Sequence, residues 1–203
     1  MTTPTRITGY HFTGDRLRDG RPIPAIGEWL EHDGPIVPCE RGLHASEHPM
    51  DALTYAPGPM LHRVELEGDL VAHGDPPDKW AGRRRRILAS VDATDLLWRF
   101  ARWCALQVID LWAAPAVVRE YLETGDDSNR AAARAAAWVA WAAARDAAWA
   151  AWAAAGAAWA ACAAGDAAGD AAWAAWAACA AGDAAWAAQR AEFAGMVREA
   201  VQE

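Results

Sequence analysis

Apolar residues alternate with polar ones along the first part of the chain, and recur every three or four residues along the rest. Alternation marks half-buried strands; the longer spacing marks amphipathic helices. Arg6–Thr13 alternates in β-like fashion. Met60–Glu67 sets Leu61, Val64 and Leu66 against His62, Arg63, Glu65 and Glu67, which predicts a strand with one solvated face. Gly68-Asp69 then turns the chain into a second strand over residues 70–73, and residues 86–91 supply a third. Asp33-Gly34 is a turn pair ahead of a short apolar run at 35–40. Ser46 is placed to cap a short helix over 49–56, with Pro49 in its first turn.

From Asp92 the period changes. Asp92 or Thr94 caps a helix expected to reach about residue 113. Its apolar positions, among them Leu96, Leu97, Phe100, Trp103 and Cys104, cover more than one face, so it is read as buried. Pro115 opens a second helix, the loop Gly125-Asp126-Asp127 follows, and Ser128 is read as the N-cap of a long alanine tract.

Within that tract Trp, Arg, Gly, Cys and Gln form one stripe. Positions 138, 141, 145, 149, 152, 156, 159, 162, 165, 169, 173, 176, 179, 182, 186 and 189 advance by three or four, 51 residues in 15 steps. That is 3.4 residues per step, just under the helical 3.6, the signature of a seam facing another helix. Trp138, Trp141, Trp149, Trp152, Trp159, Trp173, Trp176 and Trp186 hold eight of the chain's 13 tryptophans. Each buries ~150–250 Å² when covered, so a lone helix cannot hide them and they are read as assembly residues. Gly165-Asp166 and Gly169-Asp170 could end one helix and start another. The tail is therefore either one long helix or a hairpin turning near residue 167. The expected fold class is α+β: a small mixed domain at 1–91, apolar linking helices at 92–128, and an Ala/Trp-rich helical tail at 129–203.

Composition narrows the function classes. A net charge of −8 argues against broad nucleic-acid binding, which needs a basic face. Four scattered cysteines without a CxxC pair suit a reducing cytoplasm. The N-terminus lacks the apolar stretch of a signal peptide. Residues 147–165 carry no charge over a membrane-span length, but alanine buries little and aspartates interrupt the tract, so no membrane span is expected.

Few residues point to chemistry. Arg83, Arg84, Arg85 and Arg86 could grip a phosphate-bearing ligand, although a strand sends alternate side chains to opposite faces. Lys79-Trp80 follows the turn-rich Gly74-Asp75-Pro76-Pro77-Asp78 and is read as a loop able to contact a ligand. Cys39, His44 and His48 have a loosely metal-like spacing without a fourth ligand nearby, so no metal is expected. P-loop, GxGxxG, GxSxG and HExxH motifs are absent, and Ser46, Ser90 and Ser128 are the only serines.

The stretch Val37-Pro-Cys-Glu-Arg-Gly-Leu-His-Ala-Ser46, then Asp51-Ala-Leu-Thr-Tyr55, then Leu61-His-Arg-Val-Glu-Leu-Glu-Gly68, resembles an uncharacterised bacteriophage and prophage family with a Cys-x-x-Gly-Leu-His-Ala core. The resemblance covers about residues 6–95. It implies a phage-linked origin and no assigned activity. The order Tyr10-His11-Phe12-Thr13-Gly14, a Leu-His-Ala-Ser strand, and Leu61-His-Arg-Val-Glu-Leu66 is also similar to small ADP-ribosyltransferases. That similarity implies NAD as cofactor, His11 as its ribose ligand, and an acidic residue at Asp75 or Asp78; the family's aromatic at its second motif is missing near His44–Ser46.

Three readings follow. The leading one is a non-enzymatic phage-type accessory protein that binds a host partner or ligand, uses its tail for homo-oligomeric assembly, and acts in the host cytoplasm without a cofactor. The others are an NAD-dependent transferase and a sponge for a phosphate-bearing small molecule.

Overall fold

The computed structural model describes residues 4–111, 114–144 and 183–201. The chain divides into two units, residues 1–93 with 194–203, and residues 94–193.

The first unit is built on two antiparallel sheets. One contains β1 (Arg6–Thr13), β4 (Met60–Glu67), β7 (Arg84–Asp92) and β2 (Trp29–Glu31), in that order. The other orders β3 (Leu43–Ala45), β6 (Lys79–Gly82) and β5 (Val71–His73). Helix α1 (Pro49–Thr54) lies between β3 and β4 in the chain. The register sets Ile7 against Leu66 and Gly9 against Val64, and places Ile87 beside Val64. These residues face Leu43, Ala45 and Leu70, giving a dry core between the sheets.

Several expectations need correction. Met60–Glu67 is not solvated on one face. It is the central strand between β1 and β7, and both His62 and Glu65 are buried. Lys79-Trp80 lies in strand β6, not in a loop, because the apolar side of Lys79-Trp80-Ala81-Gly82 completes the second sheet. The third strand begins at Arg84, two residues before the apolar pattern suggests, since β2 and β4 both pair with that end. In the apolar run at 35–40, Val37 makes an isolated bridge to Arg41 and residues 38–40 form the turn between them. His48, not Ser46, caps α1: its Nδ1 accepts the Met50 N–H at 3.1 Å.

The second unit is helical. It contains α2 (Thr94–Leu106), a short 3₁₀ turn (Ile109–Leu111), α3 (Ala116–Thr124) and α4 (Asp127–Ala144); α5 (Asp183–Val201) begins in it. The first helix stops at Leu106 instead of running to 113, and its chain continues in the tighter 3₁₀ form. Gly125 ends α3 in the left-handed region, its N–H donating to the Tyr121 carbonyl at 2.8 Å. Asp126, not Ser128, caps α4: its Oδ1 accepts the Ser128 N–H at 2.9 Å. Val118, Tyr121 and Leu122 of α3 pack on Ala133 and Ala137, where small side chains let the helices approach closely. Phe193 is fully buried with its ring 4.7 Å from that of Phe100.

Among the described residues no helix is long and apolar enough to cross a membrane. Trp149, Trp152, Trp159, Trp173 and Trp176 lie outside the described residues, as does the choice between hairpin and single helix. Trp138 and Trp141 fall on the end of α4, where only the backbone is described. Trp186 is half-buried, with the Arg190 guanidinium 5.8 Å from its ring centroid.

Candidate functional site

The first unit holds a cavity of about 500 Å³, within the size range of small-molecule sites. β1 contributes His11 and Thr13 to its wall, β3 contributes His44, β7 contributes Arg85 and β6 contributes Lys79. Tyr10, Phe12, Leu17, Leu30 and Leu43 supply apolar surface. Arg18, Arg21, Arg41, Lys79 and Arg85 line it against only two carboxylates, Asp19 and Glu40, and Asp19 is paired with Arg21 at 2.7 Å. In an acidic chain, this is a concentrated positive site.

The alternation of β7 divides the arginine run. Arg84 and Arg86 point to the outer face, where both guanidinium groups cover the Trp29 ring at 4.6 and 4.8 Å. Arg84 pairs with Glu31 at 3.0 Å and Glu67 at 3.2 Å; Arg86 pairs with Glu65 at 3.2 Å. Arg83 joins Asp69 at 2.7 Å and donates to the His32 carbonyl at 3.2 Å, stapling two loops. None of these three lines the cavity.

Arg85 does. It is 6% exposed, on the same face as Ile87, and its Nη1 donates to the His44 carbonyl at 2.7 Å. No acidic side chain pairs with it among the described residues. Burial depresses its pKa to about 10, which still leaves it protonated at neutral pH. A buried cation without a counter-ion is costly; a bound anion would supply the missing charge.

Lys79 is the second such cation. It is 6% exposed and donates from Nζ to Cys39 Sγ at 3.2 Å, with Nζ 3.4 Å from the Tyr55 ring centroid. Tyr55 in turn donates to Asp78 Oδ2 at 2.6 Å, and Asp78 Oδ1 lies 2.8 Å from His73 Nδ1. Burial and the Asp78 carboxylate push the Tyr55 hydroxyl above its usual range, so it stays a donor. Trp80 points away from the cavity, its Nε1 donating to Glu47 at 2.9 Å.

The three histidines around Arg85 are kept neutral. Burial, then the Arg85 charge, holds His62 at about 4. Burial, then Lys79 and Arg85, holds His44 at about 4. His11 is driven well below its ordinary value, by burial first and Arg85 second. The Thr13 hydroxyl donates to the Gly14 carbonyl, so it accepts from His62 Nε2 at 2.9 Å. His44 Nε2 accepts the Cys39 N–H at 3.2 Å. Cys39 Sγ, His44 Nε2 and His48 Nδ1 thus each accept from a different donor, and no metal-holding group of three or more His, Cys, Asp or Glu occurs among the described residues.

These depressed values set an acid limit. Between pH 6.5 and about 4 the unfolded chain binds protons that folded His44 and His62 refuse, so stability falls as pH falls through that window. Denaturant titrations from neutral pH to pH 4 are expected to show a loss of several kcal/mol, up to about 3 kcal/mol from each histidine. His62→Gln is expected to fall less steeply over that range. An equal slope in the variant would remove His62 from this account.

Sequence reasoning found His11, Lys79 and the arginine run. It did not single out Arg85, or join Cys39, Lys79 and Tyr55. Period-two alternation was the available signal: Arg85 shares parity with Ile87, while Arg84 and Arg86 share the opposite parity.

A family model described as a domain of unknown function (DUF7666) matches residues 7–99, which span the cavity-bearing part of the chain. No curated protein and no solved structure matches the chain.

Proposed function

We propose that the first unit is a binding module that holds a phosphate-bearing small molecule in its cavity, with Arg85 as the principal anion ligand. The observation that carries this is the buried Arg85 guanidinium, which lines the cavity with no carboxylate partner among the described residues. An arginine presents a planar fork matched to phosphate oxygens. Lys79 adds a second buried cation, and the neutral His11 and His44 offer hydrogen bonds without changing the charge. The apolar wall suits a ligand with an organic body rather than free phosphate alone.

Calorimetric titration with inorganic pyrophosphate and with ADP-ribose tests the reading. Binding is expected for both, tighter for ADP-ribose, and weaker as salt rises. Absence of binding to either ligand at low salt would overturn it.

An NAD-dependent transferase is the second reading, favoured by the position of His11 on the cavity wall beside Arg85. Its acidic candidate Asp78 is already held by Tyr55 and His73, and Asp75 does not line the cavity. Labelled NAD incubated with the protein and a bacterial lysate tests it. His11-dependent transfer supports an enzyme; binding without transfer supports the module.

The alanine–tryptophan tail is proposed to assemble copies of the chain, consistent with a phage-type accessory protein that acts by binding. Light scattering at micromolar concentration reads this directly, and a monomer would overturn it.

A further inference from the structure

We propose that Cys39 is a thiol-exchange site on the cavity rim, selective for small anionic disulfides. The inference stands on the Cys39–Lys79 pair and the charge of the cavity. Its consequence for ligand binding rests on the anion reading above.

Cys39 is exposed and lines the cavity. Its sulfur is the hydrogen-bond acceptor of Lys79, whose ammonium is more than nine-tenths buried and has no acidic partner among the described residues. That ammonium also lies over the face of Tyr55. Cys39 itself is held at φ 70°, in the left-handed region that non-glycine residues seldom adopt. Its N–H is tied to His44. Arg41 lines the same rim, and Arg85 lies deeper in the wall. Reactive cysteines occur in such partly exposed, electropositive surroundings. Cys104, by contrast, is buried in an apolar helix.

A disulfide carrying carboxylates, such as glutathione disulfide, fits both features. Its charge is attracted by the cations of the rim, and its sulfurs reach an exposed thiol. The Cys39 thiolate attacks one sulfur of the incoming disulfide. A new S–S bond forms at Cys39 and the disulfide's own S–S bond breaks. The departing half leaves as a thiolate and takes up the proton released by Cys39. Cys39 is thereby oxidised and the departing half reduced, with no other oxidant involved. The retained half places carboxylates among the cavity's cations and competes with any other anion there.

The test uses the full, reduced protein with glutathione disulfide, followed by intact mass and peptide mapping. A single adduct on Cys39 is expected. Its rate should exceed that with neutral hydroxyethyl disulfide by about tenfold, each normalised to a free model thiol, and the excess should shrink with salt. Lys79→Met should slow the anionic reaction by a similar factor. Modification at other cysteines in place of Cys39, or no preference for the anionic disulfide, would overturn the proposal. The charge comparison decides even if Lys79→Met does not fold. The adduct is further expected to lose pyrophosphate binding. Failure of the unmodified protein to bind pyrophosphate would remove the anion reading and leave the exchange site to be judged by its rates.

Discussion

Arg85→Met is expected to melt at a higher temperature than the parent protein and to bind pyrophosphate at least ~100-fold more weakly, a loss of roughly 3 kcal/mol. The two effects have one cause. The folded state pays to bury an uncompensated guanidinium: its pKa falls from the usual arginine range to about 10, which corresponds to about 3 kcal/mol against the charged form. Methionine fills much of the same volume without that charge. The lost hydrogen bond to the His44 carbonyl takes back about 1 kcal/mol. A net gain of about 2 kcal/mol should raise the melting temperature by several degrees. Pyrophosphate should then stabilise the parent protein and leave the variant unchanged. An arginine placed for stability alone would behave oppositely, and its loss would lower the melting temperature. Unchanged pyrophosphate affinity in Arg85→Met would sink the anion site whatever the melting curve showed.

Gly9→Ala is expected to be among the most damaging single substitutions in the first unit. A Cβ at Gly9 would stand 2.4 Å from the Ser46 carbonyl oxygen and 2.9 Å from its carbon. Both are backbone atoms, so no side chain can swing aside. The neighbouring Tyr10 and Ser46 exchange two backbone hydrogen bonds, N to O at 2.7 Å and 3.0 Å, which fasten the first sheet to the segment after β3. A methyl group at Gly9 forces that fastening apart. It also shifts Ala45 and Ser46, which line the cavity. The expected cost is about 3 kcal/mol or more, the range of severe overpacking. Gly14→Ala is the matched control. The nearest heavy atom to its added Cβ is the Pro57 carbonyl oxygen at 4.0 Å, so a change within about 1 kcal/mol is expected. Urea denaturation of both variants measures the difference; equal stabilities would show that the two segments can separate at little cost.

Much of the element map is legible in the residues. Arg6–Thr13, Met60–Glu67, the Gly68-Asp69 turn and the helices after Thr94 and Pro115 all follow from local spacing and turn chemistry. The misread elements share a physical reason. Lys79-Trp80 looks like a loop because two prolines and an acidic turn precede it, yet its strand is made by pairing with β3 and β5 far away in sequence. His62 and Glu65 look solvated because they are polar, yet a central strand buries both of its faces. Ser46 looks like a cap, but its backbone pairs with Tyr10, and His48 lies nearer the helix start.

The candidate site divides in the same way. Local residue pattern is enough for the α+β class, the concentration of arginine at 83–86 and the alternation that must split it. It also determines the regular spacing of the tryptophans in the tail, most of which lie outside the described residues. Which arginine is buried without a carboxylate partner, and which thiol touches the buried lysine, follow from the folded arrangement of the strands. Periodicity records the side of a strand on which a residue stands. Whether water, a carboxylate or a cavity meets it there depends on strands that pair across tens of residues, and that long-range pairing leaves no local mark in the chain.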